Sequence, residues 1–246
     1  MPSRDGSATH ARRALIVLRQ RILGGALPGG TRVFEVALAE ALDISRTPVR
    51  AALSQLAEEG LLNRVAGGGF VVRSFSLADV VDAIDLRGVL EGTAARYAAE
   101  RGASSQCLAE AQIILREIDR TIARQDIDMD EYSSLNTRFH DLLSDMAGSA
   151  VLKREIERVV SLPFSSPSAF LEDHTHVESL QRTLTAAQAQ HCAIIEAIAN
   201  RESARAESLA REHARAARRS VEFLLSQEAA MREGVPSLAL LSDPSA

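Results

Sequence analysis

The chain has 246 residues, 28 Lys and Arg against 33 Asp and Glu for a net charge of −5, and 46% hydrophobic residues. That length suits one large or two modest domains, each able to bury a core. No apolar run nears the roughly 18 residues of a membrane span and no signal peptide is visible, which leads us to expect a soluble, cytoplasmic protein with no membrane partner.

Cys107 and Cys192 stand in no metal-like or redox spacing and read as small buried residues of a reduced protein. Charge is unevenly shared. Residues 1–75 carry ten Lys or Arg against six Asp or Glu, and residues 76–246 carry 18 against 27. An acidic total therefore leaves room for a basic, nucleic-acid-facing head. Every basic residue except Lys153 is Arg.

In chain order, Ala14, Leu15, Leu18 and Ile22 recur at helical spacing and open the chain with a helix. Phe34, Leu38 and Leu42 fit a second, short helix, and Asp43-Ile44 forms a tight connection. A third helix follows, with Ser45 as its expected cap, Pro48 in its first turn and Gly60 at its end. Val49, Ala52, Leu53 and Leu56 form its buried face; Thr47, Arg50 and Ser54 point outward, with Arg46 beside them. Arginines one turn apart at a helix start can enter a DNA major groove together and pair with guanine edges. A solvated charged face explains the two arginines equally well when they are taken alone. Leu61–Val65 and Phe70–Arg73 read as two short strands joined by Ala66, Gly67, Gly68 and Gly69, a loop whose glycines let a backbone approach a phosphate. The layout is three helices and a hairpin over residues 1–75.

From Ser76 the chain reads as helices over 77–101, 104–124, 130–147, 149–161, 178–200 and 203–228, an all-α bundle over 76–230. A long loop at 161–173 contains Pro163 and Pro167, and residues 231–246 form a tail. Polar residues interrupt the apolar stripes of this bundle. Tyr132, Asn136, His140 and Leu143 share one row; His191 sits in the stripe of Leu184, Ala187, Ile194 and Ile198; His213 sits among Ala206, Leu209, Ala216 and Val221. With a turn centred near Glu202, His191 and His213 each lie 11 residues from it, so an antiparallel hairpin sets them at one height, about 16 Å from the turn. A single inward histidine is more often a satisfied core residue. Three, with an Asn/His pair one turn apart, have the chemistry of a first-row divalent metal site. Arg87 is the other misplaced charge, on the apolar face of Val80, Ala83, Leu90 and Ala94, where an unpaired guanidinium is costly. An internal partner such as Glu91 or Asp141 and a bound small carboxylate both answer it. Arg138, His174 and His176 read as surface or loop residues.

Leu27-Pro28-Gly29, Glu35, Leu38-Ala39, Leu42, Ser45-Arg46-Thr47-Pro48-Val49-Arg50, Ala52-Leu53, Leu56 and Glu59-Gly60-Leu61 together resemble the winged-helix signature of the GntR family of bacterial transcription regulators. Asp43 stands where that family usually has glycine, a position Asp tolerates. The resemblance implies that Arg46 and Arg50 read bases, that Ser45 and Thr47 touch phosphates, and that Gly67, Gly68 and Gly69 lie against the minor groove. Leu86-Arg87-x-x-Leu90-Glu91, Leu135-Asn136-x-x-Phe139-His140, His191-x-x-Ile194-Ile195-x-Ala197-Ile198 and His213 resemble the FCD ligand-binding bundle of the FadR branch. This implies that Asn136, His140, His191 and His213 hold a divalent metal, with zinc expected and nickel or manganese as alternatives, and that Arg87 contacts an acid effector. Asn136 replaces the commoner Asp, a weaker neutral ligand, and some members of the family lose the metal.

The fold class expected is mainly α, a winged helix-turn-helix followed by an all-α bundle. The function expected is a homodimeric regulator, a repressor, that binds a palindromic double-stranded operator under control of a small organic acid, with no catalytic residues. Two alternatives stay open: a metal-dependent hydrolase or isomerase built on the Asn/His centre, against which no general base or nucleophile is spaced to serve it, and an architectural DNA binder with a filled bundle.

Overall fold

A computed structural model of the chain describes residues 4–162, 165, 177–226 and 240–241, with side chains over 9–162, 165, 180–219, 240 and 241. The elements run α1 (Arg4–Leu23), β1 (Arg32–Val33), α2 (Glu35–Leu42), α3 (Arg46–Glu58), β2 (Leu62–Arg64), β3 (Phe70–Val72), α4 (Leu77–Arg101), α5 (Ser105–Ile122), α6 (Met129–Met146), α7 (Ala150–Val160), α8 (Val177–Ala199) and α9 (Ser203–Ser226). They divide into two compact units, Met1–Val80 with Arg232–Ala246, and Val81–Met231. His174, His176, Pro163, Pro167, most of the 161–173 loop, the side chain of Val221, the last two residues of the 203–228 helix and most of the 231–246 tail lie outside the described residues.

In the first unit α1 packs on α3 through Ala14, Leu15, Leu18 and Ile22, all buried. Burying that stripe against Val49, Ala52, Leu53 and Leu56, each at most 1% exposed, is what gives α3 a fixed orientation; each such Val, Leu or Ile side chain contributes on the order of 1.5–3 kcal/mol. Asp43 takes the left-handed conformation at φ 51°, and the Ile44 N–H donates to the Ala39 carbonyl at 3.1 Å, so α2 ends within one residue and the chain turns directly into α3. Gly60, at φ +79°, ends α3 in the same way, with Leu61 N–H donating to the Leu56 carbonyl at 2.9 Å.

Two local expectations need correction. Ser45 has the extended backbone of a helix cap, yet its side chain makes no capping hydrogen bond. The reason is in the next residues. Pro48 occupies the third helical position and has no N–H, while the capping side chains of Ser104, Asp128 and Ser149 each bind the N–H at that position, from Cys107, Glu131 and Leu152. The wing, for its part, has three strands, not two. β2 and β3 pair antiparallel with Leu62 opposite Val72 and Arg64 opposite Phe70, and β1 pairs on the other side of β3, giving the order β1-β3-β2. A two-residue strand leaves no alternation to read. In the wing loop Gly67, Gly68 and Gly69 all have positive φ, at 91°, 102° and 84°, which few side-chain-bearing residues tolerate.

Phe75 N–H donates to the Leu240 carbonyl at 2.9 Å, and both residues are buried. These two described residues of the C-terminal segment, Leu240 and Leu241, thus belong to the first unit's fold.

The second unit is helical. α5, α6, α8 and α9 surround a core of Ile114, Ile118, Phe139, Leu143, Leu184, Ile194 and Ile198, to which Ala95, Ala98 and Ala99 of α4 contribute. Among the described residues no helix is long and apolar enough to cross a membrane.

Candidate DNA-reading face and bundle centre

On the first unit Arg46 and Arg50 project from the start of α3 with side chains 62% and 61% exposed. Thr47 and Ser45 are exposed beside them. Glu35, in the first turn of α2, grips both arginines. Arg50 donates through Nε to Oε1 at 2.9 Å and through Nη2 to Oε2 at 2.8 Å, and Arg46 lies 3.8 Å from Oε2. The hydrogen bonds from Arg50 hold the Glu35 carboxyl below its ordinary range. Bidentate pairing fixes the plane of the Arg50 guanidinium. In the wing, nothing lies within 4 Å of where a side chain on Gly67 or Gly68 would begin, so the loop's backbone is open to a partner. Gly69 packs more closely, with the Phe34 ring and the Val33 carbonyl 3.3 Å from such a position.

In the second unit the three histidines converge. His140 comes from α6, His191 from α8 and His213 from α9, all buried, and each offers one ring nitrogen to a group spanning 4.8 Å or less. His191 and His213 stand beside each other, as expected, with their Nε2 atoms 3.1 Å apart, although the turn between Ala199 and Ser203 centres on Arg201, one residue earlier than expected. His140 lies with its ring centroid 5.6 Å from that of His191 and 5.4 Å from that of His213. Phe139 packs its ring at 4.2 Å from His191 and limits that side chain's rotation. Asn136 is buried one turn before His140 on the same face of α6.

The outer nitrogens of two of these rings meet amide oxygens. His191 Nδ1 faces Gln188 Oε1 at 3.3 Å, and His213 Nδ1 faces Gln190 Oε1 at 2.9 Å. Burial and the neighbouring histidines push the His191 imidazolium well below its usual range; burial, with His140, holds His213 down to about 3. Where both imidazoles donate through Nδ1, their bare Nε2 lone pairs face each other across 3.1 Å, an arrangement suited to receive a cation. His140 Nε2 also lacks a hydrogen-bond partner among the described residues. The donor set therefore fits a divalent ion that accepts imidazole nitrogen.

Arg87 is 1% exposed and lies beside this centre. Its Nη1 donates to the Ser165 carbonyl at 2.7 Å, and its Nε is 3.8 Å from Glu91 Oε1. That same oxygen is 3.0 Å from His140 Nδ1, so Arg87, Glu91 and His140 form one connected chain. Burial works to raise the Glu91 carboxyl, but attraction to His140 and Arg87 outweighs it and holds the group at about 2. Of the two internal partners expected for Arg87, Glu91 is the one found and Asp141 is exposed. Glu91 does not complete the guanidinium: Arg87 Nε and Nη2, and the buried hydroxyl of Ser144 one turn beyond His140, have no hydrogen-bond partner among the described residues.

Sequence patterning missed Glu35, Ser144, Gln188 and Gln190 as site residues. Gln188 left a signal, since it falls on the buried face of α8 between Leu184 and His191, where a polar residue needs a reason. Ser144 left a similar one, a turn after His140. Arg138 is exposed, as expected, with Glu110 and Glu117 near it.

Comparison with known proteins bears on both regions. Residues 10–72 match the family described as bacterial regulatory proteins, gntR family, and residues 82–216 match the FCD domain. The chain is 32% identical over 158 residues to the Nta operon transcriptional regulator of Aminobacter aminovorans, covering 61% of this chain and 73% of that protein. It is 30% identical over 173 residues to the HTH-type transcriptional repressor RspR of Escherichia coli K12, covering 66% and 75%. Among solved structures, Escherichia coli McbR/YncC superposes with a TM-score of 0.65 at 20% identity, covering 89% of this chain and 98% of that one, a likeness of fold.

Proposed function

Because the chain belongs to the GntR family of bacterial regulatory proteins and carries an FCD domain, we propose that it is a homodimeric repressor whose grip on a palindromic operator is set by a small carboxylate bound in the bundle. The domains and relatives mark a transcription regulator, not an enzyme, which removes the hydrolase or isomerase reading of the histidine centre. The relative RspR is named as a repressor, and this supports the sign of the effect. Two-fold pairing follows from the logic of the reading head, because one winged helix spans only a half-site. In this reading Arg46 and Arg50 address base edges, Ser45 and Thr47 the phosphates, and the backbone of Gly67, Gly68 and Gly69 the minor groove.

The observation that carries the effector reading is the buried Arg87 guanidinium, two of whose nitrogens have no hydrogen-bond partner among the described residues even though Glu91 lies 3.8 Å from one of them. A carboxylate answers it with two parallel hydrogen bonds, and Ser144 supplies a further donor. His140, His191 and His213, with Asn136 as a neutral fourth group, would hold the ion. Zinc suits three imidazoles best; nickel and manganese are the alternatives. When bound, the ion would supply a fixed positive charge that favours an anionic ligand beside it. Glu91 offsets part of the charge of Arg87 and the ion, which is needed because Asn136 brings none. Movement of Arg87 passes along α4, whose chain follows the wing after residues 73–76, and so alters the two reading heads.

The test is operator binding by the full chain, followed by fluorescence anisotropy on DNA from its own promoter, while a panel of mono- and dicarboxylic acids is titrated in. At least one acid is expected to weaken binding by about five- to 150-fold and to raise the melting temperature of the parent but not of Arg87→Met. Operator affinity unchanged by every acid, with no thermal shift, overturns the effector reading.

A further inference from the structure

Gln188 and Gln190 stand two residues apart on α8, and each meets a different histidine through the ring nitrogen turned away from the cluster. We propose that these two glutamines are positioning residues that lock His191 and His213 as Nδ1–H tautomers, so that both Nε2 lone pairs face the centre and are ready for a cation. The consequence for metal rests on the metal reading above; the tautomer assignment does not.

Gln188 is 4% exposed, and its amide nitrogen is committed twice, donating to the Leu115 carbonyl at 2.9 Å and to Asp119 Oδ1 at 3.0 Å. Reversing that amide would turn its oxygen on two acceptors, so its orientation is fixed. The oxygen left over faces His191 Nδ1 at 3.3 Å. An oxygen there can only accept, so Nδ1 carries the hydrogen and Nε2 is bare. Gln190 Oε1, also on α8, lies 2.9 Å from Nδ1 of His213 on α9, and as an acceptor it selects the same tautomer there. The two bare atoms then face each other at 3.1 Å.

One competing arrangement exists. With the Gln190 amide reversed, His213 would carry its hydrogen on Nε2 and donate it to His191, closing the pair on itself and away from metal. Gln188 therefore fixes one histidine, and Gln190 decides whether the pair is open. α8 thus holds a ligand and also the residues that set two ligands' orientation. Such outer partners typically change metal affinity by 10- to 100-fold.

The full chain labelled with ¹⁵N-histidine is stripped with a chelator and its imidazole nitrogens are read by long-range proton–nitrogen correlation. His191 and His213 are both expected with hydrogen on Nδ1 and none on Nε2. Zinc affinity is then measured by competition with a chromophoric chelator. Gln190→Leu, at a half-buried position, is expected to lose about 10- to 100-fold, and Gln190→Glu, which keeps an acceptor, to recover most of it. Hydrogen on Nε2 of either histidine in the stripped parent, or unchanged zinc affinity in Gln190→Leu, overturns the proposal. A parent that takes up no zinc while both histidines show the Nδ1–H form supports the tautomer lock and overturns the metal reading alone.

Discussion

The proposed reading face of the first unit and the interior of the second both concentrate charge, and they satisfy it in opposite ways. Arg46 and Arg50 are more than half exposed, Glu35 pairs with both, and water completes whatever hydrogen bonding remains. Arg87, Glu91 and His140 are at most 5% exposed, and although ion pairs link them, polar atoms on all three lack hydrogen-bond partners among the described residues. A surface site can wait for its ligand at little cost, because solvent stands in for it. A buried site cannot, since each unsatisfied polar atom costs on the order of 1–3 kcal/mol. Incompleteness in the interior therefore points to ligands, whereas the face shows its role only through shape and charge.

Acid is expected to expose this difference most strongly. The buried His191 and His213 refuse protons that their unfolded forms, near 6.5, accept, so the unfolded state binds more protons and stability falls as pH falls. Each contributes a loss of about 1.4 kcal/mol per pH unit below about 6.5 until its folded-state value is reached. Glu91, held at about 2 against an ordinary 4.5, adds a loss in the same direction below pH 4.5. Melting temperatures of the metal-free protein are thus expected to drop steeply from pH 7 to pH 4.5; a flat profile would remove the neutral histidine pair.

Next in size is Arg87→Met, which leaves the Glu91 carboxylate buried with His140 alone beside it. Urea unfolding is expected to register a loss of about 3 kcal/mol, and a change below about 1 kcal/mol would mean that the interior does not depend on the pair. On the reading face the scale is smaller and appears in binding. Arg50→Ala is expected to cost about 1–3 kcal/mol at its own base step while leaving the fold intact, and an unchanged operator preference would remove Arg50 from the reading set. The smallest effect contrasts two caps. Ser104→Ala, which removes a formed cap, should cost about 1 kcal/mol, and Ser45→Ala, whose side chain caps nothing, should cost nearly nothing in stability. Equal losses would contradict the account of Pro48.

The helices of both units were legible because apolar periodicity is set by the same burial that stabilises them. The side-by-side placement of His191 and His213 was legible too, from counting residues to a turn. What could not be read depended on partners distant in sequence or on the absence of a donor. β1 is too short to carry a period and exists through β3. Glu35 belongs to a motif but acquires its contact with Arg50 only when α2 and α3 pack. The Ser45 cap looked correct by residue type, and a single missing N–H three positions on cancels it. Gln190 is an ordinary helix residue until α9 brings His213 to it.

The central claim, that three histidines of the bundle form one metal centre, is tested most directly by X-ray absorption at the zinc edge on the full chain loaded with one equivalent of zinc. The account predicts a nitrogen and oxygen shell at about 2.0–2.1 Å with the scattering of three imidazoles, reduced by one in His213→Ala. A spectrum with sulfur at about 2.3 Å, or one that His213→Ala leaves unchanged, would contradict it.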